Sequence, residues 1–196
     1  MADSAPESDD AWAEALTDNR AEKDRFFADH PQSPIPPEAR DDFDGLEYYQ
    51  PDPSFRVQGR LDVHAEPDPI DLEMTEGQPR RYLQVATLRF TLNDAERTLG
   101  GLRQSEDEDG LFVPFTDATT GDGTYGRGRY LEFEPTDELV DGGTMTLDFN
   151  LAYNPFCAYS ETFACPLPPA ENHLDVAVRA GERAPPETVT AISDDS

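Results

Sequence analysis

The sequence is poor in positive charge, and what it has comes almost entirely from arginine. Its 196 residues contain 15 Lys and Arg side chains against 42 Asp and Glu, and Lys23 is the only lysine. Proteins bind nucleic acids chiefly through basic side chains that neutralise phosphates. The net charge of −27 therefore excludes nucleic acid as a general partner.

Long hydrophobic runs are absent as well. No stretch approaches the roughly 18 consecutive apolar residues of a membrane-spanning helix, so we expect no membrane partner. The first ten residues are acidic and contain no apolar run, unlike a secretory signal. These absences predict a cytoplasmic location.

Cysteine is scarce, with only Cys157 and Cys165 in the chain. Two cysteines are too few for the disulfide framework of a small secreted protein. Cys157, Cys165 and His173 are each separated by seven residues, whereas the cysteines of structural zinc sites come in closely spaced pairs. We therefore expect free thiols, no metal and no cofactor. A disulfide between the two cysteines is an alternative that the sequence does not decide.

The acidity that fills the sequence does not indicate disorder. Hydrophobic residues make up 36% and aromatic residues 10% of the chain, and disordered acidic chains lack such aromatics. An acidic surface repels itself at physiological salt but is screened at 1 M salt, where the Debye length is about 3 Å. The composition resembles that of cytoplasmic proteins from extreme halophiles. A GC-rich genome would explain the arginines but not the 42 acids.

The order of patterns predicts a mainly β fold, a single antiparallel β-sandwich or partly closed barrel with an N-terminal helix packed outside. Residues 1–10 are interpreted as a disordered acidic arm and residues 183–196 as an acidic, proline-containing tail. Residues 11–182 between them form the single domain.

Within the domain, a helical pattern runs from Asp10 to about Asp29, with Asp9 or Asp10 as its cap. Period-two alternation then predicts short strands, among them Tyr82 to Leu92. Pro67-Asp68-Pro69 is expected to separate two strands, and His173 to Ala180 is the expected last strand.

Residues 149–170, which we call the acid-poor segment, escape the acidic composition. They contain one acid, Glu161, and no Lys or Arg, whereas 42 acids in 196 residues would place four or five in this window. Burial is one explanation, and a ligand site or interface is the other. The two overlap, because pocket walls are mostly apolar with a few placed polar groups.

A glycine-rich loop precedes this segment and carries two of the few arginines. Arg127 and Arg129 are expected on the same side of an extended strand, where they could recognise a carboxylate or phosphate. The alternative is that they pair with Asp117, Asp122 or Asp148.

Several segments together resemble the family named domain of unknown function 1684, over roughly residues 20–182. The family carries no established activity, and the resemblance implies that Lys23 is retained for a reason other than surface composition. The matching residues are Lys23-Asp24-Arg25-Phe26-Phe27, Ser33-Pro34-Ile35, Phe43 to Tyr49, Leu111 to Asp117, Thr124 to Leu131, Leu147 to Pro155, Cys157, Cys165 to Pro169 and Glu171-Asn172.

We expect a soluble protein with a pocket for a small and possibly anionic molecule, formed by the 115–130 loop and the 148–172 segment. The predicted ligand-binding residues are Arg127, Arg129, Tyr125, Asn150, Tyr153, Asn154 and Asn172, with Tyr130 and Tyr159 as further walls.

Two alternatives stay open. A small hydrolase- or isomerase-like enzyme would use Asp117, Glu171 or Cys157 as its catalytic group. A structural or partner-binding module would use residues 149–170 as an interface. The sequence decides neither whether the protein catalyses a reaction nor its oligomeric state.

Overall fold

One N-terminal helix and one curled antiparallel sheet make up the fold, in a computed structural model that describes residues 8–134 and 139–186. Helix α1 spans Asp9–Asp29, and a 3-10 turn follows at Pro37–Asp42. The strands are β1 (Arg56–Leu72), β2 (Arg80–Leu92), β3 (Ala95–Arg103), β4 (Leu111–Asp117), β5 (Arg129–Phe133), β6 (Thr144–Asp148) and β7 (His173–Leu174). The predicted mainly β fold class is confirmed.

The sheet is a partly closed barrel in which the strands lie in the order β5-β4-β3-β2-β1-β6. Neighbouring strands in this order pair antiparallel, and the short β7 pairs with β4 in parallel. Strand β6 accompanies β1 from Arg56 to Arg60, and β2 pairs with β1 from Gly59 onward, so β1 has a strand on both sides only at Gly59 and Arg60. Beyond Arg60, β1 pairs with β2 alone.

Helix α1 begins where the Ser8 hydroxyl accepts a hydrogen bond from the Ala11 N–H at 3.2 Å. Ser8, which the prediction placed in the disordered arm, is therefore the cap, instead of the expected Asp9 or Asp10. The two aspartates occupy the first turn, where carboxylates interact favourably with the helix dipole. Residues 1–7 of the predicted arm and 187–196 of the predicted tail lie outside the described residues.

The helix is held at both ends. Phe27 is buried near its C-terminal end, and Trp12 and Leu16 are buried near its start. Trp12 Nε1 donates a hydrogen bond to Asp148 Oδ2 at 2.7 Å, which joins the first turns of the helix to β6. No helix among the described residues is long and apolar enough to cross a membrane.

The two faces of the sheet carry different apolar clusters. The main core contains residues such as Leu88, Val113 and Phe149. A smaller cluster of Leu72, Tyr82 and Leu102 lies apart from it, with Phe112 and Ile70 packed alongside. Because successive strand residues point to opposite faces, Phe112 lies on the face opposite its buried neighbour Val113. The sheet therefore needs a cover on this second face as well.

Candidate functional site

Arg129 and Asp117 form an ion pair inside the protein, with side chains 1% and 0% exposed. Arg129 Nη2 donates to Asp117 Oδ2 at 2.7 Å. Its other hydrogen bonds go to three backbone carbonyls, those of Val178, Ala180 and Glu182. Both terminal nitrogens of the guanidinium are thus engaged, and the side chain fastens residues 178–182 to strand β5.

The two predicted catalytic carboxylates occupy opposite environments. Asp117 is buried, and its Oδ1 accepts hydrogen bonds from both the N–H and the hydroxyl of Thr119 at 2.5 Å. Glu171 is exposed on a 3-10 turn at Ala170–Asn172. The structure does not bring them together as a general acid and base.

Arg127 and Arg129 do not lie on the same side of a strand, so this prediction is wrong. Strand β5 begins at Arg129, and Gly128 before it has a φ of +90°. Glycine is required here because a Cβ would lie 2.6 Å from the Phe115 carbonyl oxygen. The backbone turns at Gly128, so Arg129 is buried while Arg127 is exposed. The two guanidinium groups therefore form no fork.

Asn150 and Asn172, both predicted to bind ligand, hydrogen-bond to the protein's own backbone. Asn150 donates to the Asp52 carbonyl and accepts from the Asp52 N–H, each at 2.9 Å. Asn172 bonds to the N–H and carbonyl of Gly100 at 2.7 and 3.0 Å and donates to the Pro114 carbonyl at 2.8 Å. Each buried amide satisfies backbone groups that would otherwise lack partners and ties a turn to its neighbouring segment.

Asn154 belongs to a buried polar cluster centred on Glu182, which is 1% exposed. Glu182 Oε2 accepts from the Asn154 N–H at 2.8 Å and from the Tyr159 hydroxyl at 3.1 Å, while Oε1 contacts Lys23 Nζ. Burial and the Glu182 carboxylate raise the pKa of Tyr159. The cluster joins helix α1 to the acid-poor segment. Lys23, the single lysine, therefore has a structural role as the partner of Glu182.

Beside Glu182 a cavity of about 120 Å³, which we call the polar pocket, lies against helix α1. Arg20, Lys23, Tyr48 and Tyr153 line it together with Glu182. Arg20 Nε and the Tyr48 hydroxyl are buried and have no hydrogen-bond partner among the described residues. A cavity of this size and polarity accommodates a few water molecules, each occupying about 30 Å³.

Cys157 is the predicted catalytic residue whose surroundings suit chemistry. It is half-buried on a 3-10 turn at Phe156–Ala158, and the Tyr125 hydroxyl lies 3.7 Å from its Sγ. Hydrogen bonds from Cys165, then Tyr125 and Thr75, lower the pKa of Cys157 to about 6. The contact with Cys157, together with burial, raises the pKa of Cys165. Both cysteines are free thiols.

The acid-poor segment supplies the cover for the second face of the sheet. Tyr153 pairs with Tyr130 through two backbone hydrogen bonds of 2.8 and 3.0 Å, which places the segment along the edge of β5. Further on, the Tyr130 hydroxyl donates to the Pro166 carbonyl. The Leu167 N–H then donates to the Glu73 carbonyl at 2.7 Å, beyond the end of β1. The segment therefore spans the second face from one edge strand to the other side.

Between this segment and the sheet lies a cavity of about 630 Å³, which we call the aromatic pocket. Its volume falls within the roughly 300–1,000 Å³ of small-molecule sites. Of the predicted ligand-binding residues it includes Tyr153, and the 115–130 loop contributes Tyr130. The aromatic side chains that line it are Tyr82, Phe112, Tyr130, Phe133, Tyr153, Phe156 and Phe163.

Four of these rings form a continuous row along one wall. Ring centroids are 5.8 Å apart for Tyr82 and Phe112, 4.7 Å for Phe112 and Tyr130, and 5.8 Å for Tyr130 and Tyr153. The last two pairs meet edge to face, at 78° and 89°, an arrangement favoured by the ring quadrupoles. Burial raises the pKa of all three tyrosines, so their rings stay neutral at physiological pH.

Negative charge dominates the ionisable lining of the aromatic pocket. Glu108, Asp109, Glu132 and Glu134 contribute four carboxylates, and Arg80 contributes one guanidinium. The formal sum at neutral pH is −3, which opposes an anionic ligand. Within the described residues, no group of three or more His, Cys, Asp or Glu side chains could hold a metal ion.

Sequence reasoning missed the sheet side of this pocket, namely Tyr82 and Phe112. A usable signal was present in Leu111 to Phe115, which is apolar without interruption. Continuous apolar runs are typical of strands covered on both faces, whereas half-exposed strands alternate. Phe156 and Phe163 lay inside the acid-poor segment but were not singled out.

Fold and pocket together define a mainly β domain whose second sheet face forms one wall of an aromatic cavity. The chain belongs to the family described as a protein of unknown function, DUF1684, which matches residues 41–183. It is similar to an uncharacterized protein of Haloarcula marismortui solved by solution NMR, with 57% identity and a TM-score of 0.71. That match covers 89% of this chain and 95% of the other. No curated protein matches the sequence.

Proposed function

We propose that this protein binds a small organic molecule in the aromatic pocket. The observation that carries the proposal is the row of rings formed by Tyr82, Phe112, Tyr130 and Tyr153 along a cavity of about 630 Å³. Ligand pockets are concave and mostly apolar, with a few placed polar groups. The carboxylates and the guanidinium of the lining are those polar groups here.

The acid-poor composition supports the same function. Tyr153, Phe156 and Phe163 are only partly buried, so burial alone does not account for a segment that avoids acids. A surface that must contact a ligand accounts for both their partial exposure and their apolar character. The interface alternative has less support, because the exposed large hydrophobic side chains of the described residues are Val140 and Leu151 alone.

The proposal places this binding in the cytoplasm of a cell with molar internal salt. Its support is the excess of 42 acids over 15 basic residues and the similarity to the Haloarcula marismortui protein. Molar salt screens charges beyond about 3 Å, so ligand recognition must come from direct contacts. A closely spaced row of rings provides such contacts.

Ligand-observed NMR tests the proposal with a panel of small neutral, anionic and cationic organic molecules in about 2 M KCl. Screening at this salt resembles the proposed setting. We expect hits whose signals are lost in Gln104→Trp, which places an indole at an exposed position of the pocket rim. Gln32→Trp, exposed in the turn just after helix α1, is the matched control and should keep them. A panel without a hit, or hits that survive Gln104→Trp, would contradict the proposal.

Thiol catalysis is a second candidate function, favoured by the low pKa of Cys157 and its contact with Cys165, which lines the aromatic pocket. A thiolate there could attack an ester carbonyl, release the alcohol and be regenerated when water hydrolyses the thioester. Ester hydrolysis that is lost in Cys157→Ser but kept in Cys165→Ser would support this function. Equal activity of both variants would reject it.

A further inference from the structure

Tyr153 lies between the two cavities and already binds a cation on one side. Lys23 Nζ lies 4.7 Å from the centroid of its ring, within the polar pocket. The same side chain also lines the aromatic pocket. A cation within about 6 Å of a ring centroid is attracted by the negative face of the ring. The protein therefore uses this tyrosine as a cation-binding surface in its own fold.

Several rings elsewhere in the chain are covered by its own cations, whereas among the described rings of the aromatic pocket only Tyr153 is. Arg20 lies over Tyr48 at 4.5 Å, and Arg129 lies over Phe115 at 5.5 Å. Within the described residues, no Lys or Arg lies over any ring of the aromatic pocket except Lys23 over Tyr153. The pocket thus presents rings of the kind that hold cations elsewhere in the molecule, with no internal cation to occupy them.

The charge around these rings also selects a positive ligand. Carboxylates outnumber guanidinium groups by four to one in the lining, and burial followed by the neighbouring Glu132 carboxylate raises the pKa of the Tyr153 phenol. Glu132 is exposed at the rim, where its charge can meet an incoming cation. Because molar salt screens distant charges, discrimination must come from groups in contact, and the rings and this carboxylate are in contact with the cavity.

We infer that the ligand of the aromatic pocket is an organic cation of the alkylated ammonium class, held by the faces of the ring row and by the rim carboxylates. The inference rests on the proposed function and names its ligand chemistry. Alkylation matters because an apolar cavity strips water from its ligand. A quaternary ammonium ion spreads a weakly hydrated charge over methyl groups that also fill apolar space.

The test compares choline with 3,3-dimethyl-1-butanol, its uncharged isostere, by NMR titration of the full chain in about 2 M KCl. Both probes have the same shape, so a difference in Kd reports the charge. We expect choline to bind at least about tenfold more tightly, the ratio that about 1.4 kcal/mol gives. Shift changes should concentrate on the resonances of Tyr130, Tyr153 and Phe163.

Two pairs of variants locate the interaction. Phe163→Leu removes one pocket ring and should weaken choline binding several-fold, whereas Phe26→Leu removes a ring outside the pocket and should not. Glu132→Gln removes a rim carboxylate and should also weaken choline, whereas Glu171→Gln, exposed away from the pocket lining, should not. Both glutamates are surface residues, so this pair reports binding even if a ring variant unfolds.

The outcomes separate the inference from the proposed function on which it rests. Equal Kd values for the two probes, or no binding of choline, overturn the cation assignment. If neutral or anionic members of the NMR panel still bind, and this binding is lost in Gln104→Trp, the proposed pocket function stands without the cation assignment. If no member of the panel binds either, the proposed function has failed as well.

Discussion

Lys23 and Glu182, 159 residues apart in sequence, form an ion pair that joins helix α1 to the last described part of the chain. Glu182 is almost fully buried, while Lys23 is partly exposed and also lies over the ring of Tyr153. The only lysine of the protein therefore neutralises a carboxylate that the fold has placed in its interior.

We predict that Lys23→Met lowers the free energy of unfolding by about 1.5–3 kcal/mol, the contribution typical of a hydrogen bond to a charged group. Glu182 would keep its bonds from Asn154 and Tyr159 but lose its counter-charge. Denaturant unfolding monitored by Trp12 fluorescence measures the loss. Arg25→Met, exposed on the same helix, is the control and should be nearly neutral. Equal effects of the two variants would argue against a structural role for Lys23.

The buried pair of Arg129 and Asp117 leads to a second prediction. Arg129→Met should cost about 3–5 kcal/mol, because Asp117 would be left as a buried charge without a partner. The carbonyls of Val178 and Ala180 would lose their donor as well. Arg127→Met removes an exposed guanidinium two residues away and should change stability by less than about 0.5 kcal/mol. Thermal melts of both variants measure the two effects. An Arg129→Met protein as stable as the unaltered protein would contradict the prediction.

Cys157 should react as a thiolate near neutral pH. An ordinary thiol ionises near pH 8.5, whereas hydrogen bonds from Cys165 and Tyr125 lower the pKa of Cys157 to about 6. Thiolate therefore predominates at pH 7, and the alkylation rate should fall as the pH is lowered through about 6. Iodoacetamide labelling followed by peptide mass spectrometry gives the profile.

Two variants serve as controls for this profile. In Cys157→Ser the remaining Cys165 should label slowly, because the Cys165 thiol is buried and this burial by itself still raises its pKa. Tyr125→Phe removes a hydrogen bond to the thiolate and should move the midpoint to higher pH. A midpoint between pH 8 and 9 in the unaltered protein would show that these contacts do not act on Cys157.

Stability should depend steeply on salt. Lowering KCl from about 2 M to 0.1 M lengthens the Debye length from a few Å to about 10 Å and restores repulsion among the surface acids. We expect the melting temperature to drop by about 10 °C or more, since each kcal/mol is worth about 2–4 °C at this size. Glu106→Gln combined with Asp107→Asn, at an exposed tip, should reduce the drop. A melting temperature that does not change with salt would refute the halophilic interpretation.

The local patterns predicted helix α1 and strand β2, but not the continuity of β1. Pro67 and Pro69 were expected to separate two strands, yet β1 runs through both with a register shift between Val63 and Asp68. The prolines are tolerated because β6 accompanies β1 only as far as Arg60, so this part of β1 is an edge. Sequence alone does not reveal where a neighbouring strand ends.

The predicted last strand from His173 to Ala180 is reduced to His173–Leu174. The carbonyls of Val178 and Ala180 bond to the Arg129 guanidinium instead of to a neighbouring strand. Alternating apolar residues report which side chains are buried, and Val178 and Ala180 are buried as expected. They do not report whether a side chain or a strand satisfies the backbone.

The acid-poor composition singled out a segment that forms one wall of the aromatic pocket, where Tyr153, Phe156 and Phe163 line the cavity. The predicted polar residues fared differently. Asn150, Asn172 and Asp117 hold the chain together from within. The sequence does not distinguish a polar residue that binds a ligand from one that binds a backbone carbonyl, because both occur as single polar residues in an apolar segment.

The anchoring of helix α1 has a consequence for which part of the chain folds as one unit. The family match begins at residue 41, after the helix. Three groups inside the matched range nevertheless take their partners from the helix: Asp148 from Trp12, Glu182 from Lys23 and the Leu46 N–H from Asp24. A chain that began at residue 41 would leave these three groups without their partners, and we expect it not to fold stably by itself. The unit that folds cooperatively therefore includes helix α1 and is larger than the range that the family model matches.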